Sequence, residues 1–137
     1  MERALIADLI NWKEKPCRKP LILKGVRQCG KTYLLKAFGE QCYDSFAYFN
    51  FEETEALKTV FEKDYDTDRI LFELGLFAGK TIEAGHTLVI LDEIQECGRA
   101  ITAMKYFCEN APEYHIVCAG SLLGIALQNQ LSFPVGK

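Results

Sequence analysis

Long apolar runs are missing from this chain of 137 residues. None approaches the roughly 20 residues that a membrane-crossing helix needs, and the N-terminus lacks a signal-peptide pattern. A cytoplasmic protein with no membrane partner is the expectation. Paired cysteines are missing too: Cys17, Cys29, Cys42, Cys97, Cys108 and Cys118 contain no CxxC pair. That argues against a zinc site and a disulfide framework, and several of the six lie in apolar surroundings, where reduced cysteine acts as a small hydrophobe. The two histidines, His86 and His115, flank expected strand starts without metal-ligand spacing and read as structural. Arginine is scarce in the second half, Arg99 being the only one after Arg69. Phosphoryl transfer usually wants an arginine at its transition state, but Arg99 reads as a surface charge on a helix. No internal repeat or low-complexity segment is present.

The rest of the composition, 49% apolar and 26% charged, is ordinary for a globular protein of one domain and one core. The net charge of −3 hides an asymmetry. Residues 1–40 hold nine Lys/Arg against four Asp/Glu, a balance of +5; residues 41–137 hold seven against fifteen, a balance of −8. A small polyanion is the economical partner for the basic part. Lys13, Lys15, Arg18 and Lys19 also allow a nucleic-acid surface, with a solvated linker as the competing reading.

The basic part contains Gly25-Val26-Arg27-Gln28-Cys29-Gly30-Lys31-Thr32, which fits the phosphate-binding loop pattern. A chance match in a chain of this length has odds of roughly one in two hundred. Leu21-Ile22-Leu23 reads as a buried strand entering the loop, and Leu34, Leu35, Ala37 and Phe38 as the apolar stripe of a helix leaving it. Gly25 and Gly30 allow positive φ and leave space for a phosphate, so backbone N–H groups can converge on an anion at the helix N-terminus. Lys31 supplies a mobile charge for the β- and γ-phosphates, and the Thr32 hydroxyl can ligate Mg²⁺. Tyr33 completes the candidate nucleotide contacts. Cys29, beside Lys31 and near a helix N-terminus, has features that lower a thiol pKa, although that loop position accepts many inert side chains.

Along the chain, Arg3 to Glu14 predicts an amphipathic helix with Leu5, Ile6, Leu9 and Ile10 on one face. Pro16 and Pro20 bracket a basic connector. Phe46 to Phe51 reads as a second strand, followed by Glu52, Glu53 and Glu55 and a short helix around Leu57, Val60 and Phe61. Asp66-Thr67-Asp68 starts a further helix that continues through Ile70 to Phe77, with Gly85 as its stop. Thr87 to Leu91 is a third strand ending in Asp92-Glu93; Ala100, Ile101, Met104, Phe107 and Cys108 mark another helix; Ile116 to Ala119 is a fourth strand closing on Gly120-Ser121. Strands that are nearly all apolar and alternate with helices predict an α/β fold, its parallel sheet covered on both faces.

The apolar run into Asp92-Glu93 is a Walker B pattern, placed where parallel sheets bind ligands. Asp92 can hold Mg²⁺ through water, opposite Thr32. Glu93 can polarise a water for in-line attack, which favours hydrolysis over transfer to a small molecule. Ser121 either contacts the γ-phosphate or orients that water, or it hydrogen-bonds a local turn.

Together, the loop from Gly25 to Thr32, Leu91-Asp92-Glu93-Ile94-Gln95 and Ala119-Gly120-Ser121 resemble the prokaryotic AAA-family P-loop ATPases that carry a C-terminal domain of unknown function. The resemblance runs from the N-terminal helix to about residue 136, and Arg27-Gln28 and Gln95 make it more specific than the nucleotide motifs alone. It implies a P-loop NTPase three-layer sandwich with a mostly parallel sheet of four strands, ordered first, fourth, third, second, with a fifth strand missing beside the first. It implies ATP and Mg²⁺ as cofactors, Lys31 and Thr32 on phosphate and Mg²⁺, Asp92 on Mg²⁺, Glu93 as catalytic acid and Ser121 as sensor. Adenine rests on this resemblance, since the chain has no guanine-specifying Asn-Lys-x-Asp sequence.

Relatives continue past the sensor with a Gly-Arg segment, whose counterpart here reads Gly136-Lys137, so residues 1–137 are expected to be an AAA-type ATPase domain truncated at its C-terminal end. A free edge on the first strand would be a pairing liability, so the N-terminal segment, the tail or a neighbouring molecule is expected to cover it. Homo-oligomerisation stays open. Two other readings compete: a P-loop kinase for a small acceptor, which needs an arginine-rich lid after the third strand, and a nucleotide-gated interaction module on DNA.

Overall fold

Four short apolar runs build one sheet, and the alternation of their side chains decides what packs on each face. The computed structural model describes residues 9–14, 21–25 and 31–121, with the backbone alone for 21–25, Lys31 and Ser121. The strands are β1 (Leu21–Gly25), β2 (Ser45–Asn50), β3 (Thr87–Asp92) and β4 (His115–Ser121). They are ordered β1-β4-β3-β2, and every pairing is parallel. This is the order that the resemblance implies. All six residues of β3 are buried, as a strand covered on both faces requires.

Helices α1 (residues 9–14) and α2 (Lys31–Cys42) lie on one side of the sheet. Leu9, Trp12, Leu35 and Phe38 pack there with Leu88, Ile90, Val117 and Ala119. The intervening strand residues Val89, Leu91, Ile116 and Cys118 point the other way. They meet the residues of α3 (Ala56–Val60), α4 (Thr67–Ala78) and α5 (Gly98–Asn110), among them Leu57, Ile70, Leu74, Met104 and Phe107. The result is a three-layer α/β sandwich with a core on each face of the sheet.

Local chemistry sets the element ends. Asp66 caps α4, its carboxylate accepting from the backbone N–H of Asp68 at 3.1 Å. The helix stops at Ala78, seven residues before the expected Gly85, because Gly79 already supplies the left-handed residue (φ 73°). Its N–H and that of Lys80 both donate to the Gly75 carbonyl, at 2.8 and 3.1 Å. Gly85 also takes a positive φ of 78°, in the turn before β3. Arg69 fastens α4 to the end of α3 through the Val60 carbonyl at 2.9 Å and to the intervening loop through Asp64 at 3.0 Å, and pairs within α4 with Glu73 at 3.0 Å.

Three sequence expectations need adjustment. In α1, Ile10 is 38% exposed while Trp12 is buried, because residues three apart share a helix face and adjacent ones do not. The second strand begins and ends one residue earlier, at Ser45 and Asn50, and the fourth extends to His115 and Ser121. Leu5 and Ile6, with the rest of residues 1–8 and the tail after Ser121 that could cover the β1 edge, lie outside the described residues. Cys97 and Cys118 are buried, and burial pushes both thiols above the usual cysteine range. His115 is also buried, bonded to the Tyr43 hydroxyl, and His86 pairs with Asp44 at 2.9 Å.

Gly75 has a packing reason to be glycine. A Cβ there would lie 2.8 Å from the Lys80 carbonyl oxygen, a backbone atom that cannot rotate away. Gly75→Ala is therefore expected to destabilise the fold by about 1–3 kcal/mol despite alanine's better helix propensity. Denaturant unfolding measures this, and a stabilised variant would contradict it.

Candidate functional site

The crevice at the C-terminal ends of the strands is assembled from α2, β2 and β3. β1 ends at Gly25 and α2 begins at Lys31. Gly25 pairs in register with Ser121 at the end of β4, and the next strand across, β3, ends at Asp92. Strand order alone therefore brings the loop start, the sensor candidate and the acidic pair to one end of the sheet.

Asp92 is the centre of the described cluster. It is only 6% exposed, so its oxygens need donors. Thr32, the second residue of α2, donates its hydroxyl to Asp92 Oδ2 at 2.6 Å. The Tyr48 hydroxyl donates to the same oxygen at 2.5 Å. The backbone N–H of Glu93 donates to Oδ1 at 2.9 Å. Asn50, whose register partner is Asp92, donates from Nδ2 to the Tyr48 oxygen at 3.2 Å. Its Oδ1 accepts from the N–H groups of Glu52 and Glu53 at 2.8 and 3.1 Å, closing the acidic turn after β2.

Burial, and then the hydrogen bond to Asp92, push the Tyr48 hydroxyl from 10.0 up to about 12. Lys36, one turn along α2 from Thr32, sets its ammonium 4.1 Å from the centre of the Tyr48 ring. Glu93 takes a left-handed backbone (φ 54°, ψ 45°), the only non-glycine among the described residues with positive φ. Such a conformation costs about 1 kcal/mol or more and clusters at functional sites. Gln95 donates its side-chain amide to Glu93 Oε1 at 2.7 Å, fixing that carboxylate relative to the turn.

Of the sequence candidates, Thr32, Asp92 and Glu93 are brought together. Lys31 and Ser121 are placed by their backbones, at the start of α2 and the end of β4. Val26, Arg27, Gln28, Cys29 and Gly30 lie outside the described residues. Tyr33 is 74% exposed on α2 and stands apart from the carboxylate cluster. Arg99 is exposed on α5 as expected, and its guanidinium is committed to structure: Nε donates to the Phe61 carbonyl at 2.7 Å and the group lies 4.8 Å from the Tyr65 ring centre. Tyr48 and Asn50 were not among the candidates. Their signal was two polar-tipped residues, spaced by two, at the end of an otherwise apolar strand.

The donor set suits Mg²⁺. A hydroxyl and one carboxylate are hard oxygen ligands, and a magnesium ion keeps several waters and binds substrate phosphates rather than demanding a protein cage. No group of three His, Cys, Asp or Glu able to hold a metal occurs among the described residues. A groove of about 450 Å³ on α4, lined by Leu71, Phe72, Leu76 and Ile82, is mainly apolar and shares no residue with the cluster.

A family model described as an AAA domain matches residues 17–137. Among curated proteins none matches the chain.

The elevated Tyr48 value has a measurable sign. The folded chain holds this proton more tightly than the unfolded chain, so the associated stability is complete below pH 10 and is lost as pH rises through about 12. A phenolate absorbance titration should show one of the six tyrosines ionising near 12, and Tyr48→Phe should remove that step. An unchanged titration in the variant would refute the assignment.

Proposed function

The chain belongs to the AAA-domain family, a nucleotide-binding P-loop ATPase family, and from that premise we propose that it binds ATP with Mg²⁺ and hydrolyses the γ-phosphate bond. The observation that carries this reading is the 2.6 Å contact between Thr32 and Asp92. It joins the start of the helix after the glycine loop to the acidic end of β3, sixty residues away in sequence.

In this reading the loop N–H groups from Gly25 to Thr32 and the Lys31 ammonium bind the phosphates, helped by the positive end of α2. Thr32 and Asp92 would hold the cation, which when bound would supply charge neutralisation for the transferring phosphoryl group. Glu93 accepts the proton of a water as its oxygen bonds to the γ-phosphorus and the bond to the β-phosphate oxygen breaks. Gln95 keeps that carboxylate oriented, and Ser121 positions the water or the γ-phosphate. The commitment of Arg99 to Phe61 and Tyr65 weighs against a kinase, which needs a free arginine after β3. Salt-dependent retention on DNA would instead favour the interaction module.

Lys31→Ala is expected to abolish nucleotide binding. Glu93→Gln is expected to bind ATP with wild-type affinity and to lose turnover by roughly 10²-fold or more. Normal hydrolysis by the Gln variant, measured beside binding, would remove Glu93 from the role of base.

A further inference from the structure

We propose that Tyr48 is a positioning residue for the cation: it fixes the Asp92 carboxylate so that the Thr32 hydroxyl proton is used on Asp92 and the Thr32 oxygen keeps its lone pairs for Mg²⁺. This rests on the nucleotide-binding reading above. A hydroxyl carries one proton and two lone pairs. Thr32 directs its proton to Asp92 Oδ2 at 2.6 Å, which leaves its acceptor side for a cation. That arrangement holds only while Oδ2 stays where it is.

The carboxylate is fastened at both oxygens. The Glu93 N–H holds Oδ1 at 2.9 Å and the Tyr48 hydroxyl holds Oδ2 at 2.5 Å. The direction of the Tyr48 proton is itself determined. Asn50 Nδ2 donates to the phenolic oxygen at 3.2 Å, so the hydroxyl accepts from Asn50 and gives its own proton to Asp92. Asn50 is in turn held by the two backbone N–H groups of the following turn. The Lys36 ammonium lies over the phenol ring, 4.1 Å from its centre, on the α2 side. A line of directed hydrogen bonds therefore runs from the acidic turn through Asn50 and Tyr48 to Asp92 and Thr32. None of it requires Tyr48 to touch the nucleotide.

Tyr48→Phe removes the hydroxyl and keeps the ring beneath Lys36. Isothermal calorimetry with ATP, with and without Mg²⁺, separates positioning from general damage. The expected result is unchanged affinity for ATP without Mg²⁺ and a roughly tenfold higher Mg²⁺ concentration for half-maximal tight binding, the scale of one lost hydrogen bond to a charged group. Asn50→Ala, which frees the hydroxyl to turn, should shift the same midpoint in the same direction by about threefold. It decides the matter if the Phe variant does not fold. An unshifted Mg²⁺ midpoint in the folded variant, or an equal loss of affinity with and without Mg²⁺, overturns the assignment while leaving the nucleotide reading intact. A wild-type chain that binds no ATP in either condition overturns both.

Discussion

A buried carboxylate at the end of a central strand is the constraint around which this molecule is arranged. Asp92 sits at 6% exposure, where an unpartnered charge is costly, and three donors from three different segments converge on it. Those segments are the start of α2, the middle of β2 and the turn after β3. Removing any one donor leaves part of the carboxylate unsatisfied, so the cluster ties the positions of these elements together. The same convergence sets hard oxygen atoms beside the start of α2, a donor set of the type that magnesium takes.

The two cores explain how that end of the sheet is held between helices. Alternate residues of β3 and β4 enter opposite layers, with Leu88, Ile90, Val117 and Ala119 against α1 and α2, and Val89, Leu91, Ile116 and Cys118 against the other helices. The strand ends are thereby fixed in height relative to α2. Strain enters just past the packed part, at Glu93, whose left-handed backbone follows immediately on Asp92. Gln95 then holds the glutamate from within the same turn.

The sheet was legible in the sequence because each strand is an apolar run between turn residues, and because the spacing of glycine, lysine and threonine has few other uses. Thr32, Asp92 and Glu93 could be paired from their motifs. Strand order came from the family resemblance and not from periodicity. Tyr48 and Asn50 escaped because their role depends on β2 lying beside β3, which nothing local to residues 45–50 reveals. The end of α4 was misplaced because two glycines follow the helix and only the nearer one meets the Gly75 carbonyl. Ile10 was assigned inward by hydrophobicity, whereas Trp12 has the right angular position relative to Leu9.

The claim on which the account turns is that Thr32 and Asp92 act on one shared magnesium-bound nucleotide. A double-mutant cycle on Mg²⁺-dependent ATP affinity, using Thr32→Ala, Asp92→Asn and the pair, tests it directly. Groups that serve a single ion should be strongly non-additive, with a coupling of about 1 kcal/mol or more. Simple addition of the two single effects, as expected of independent sites, would contradict it.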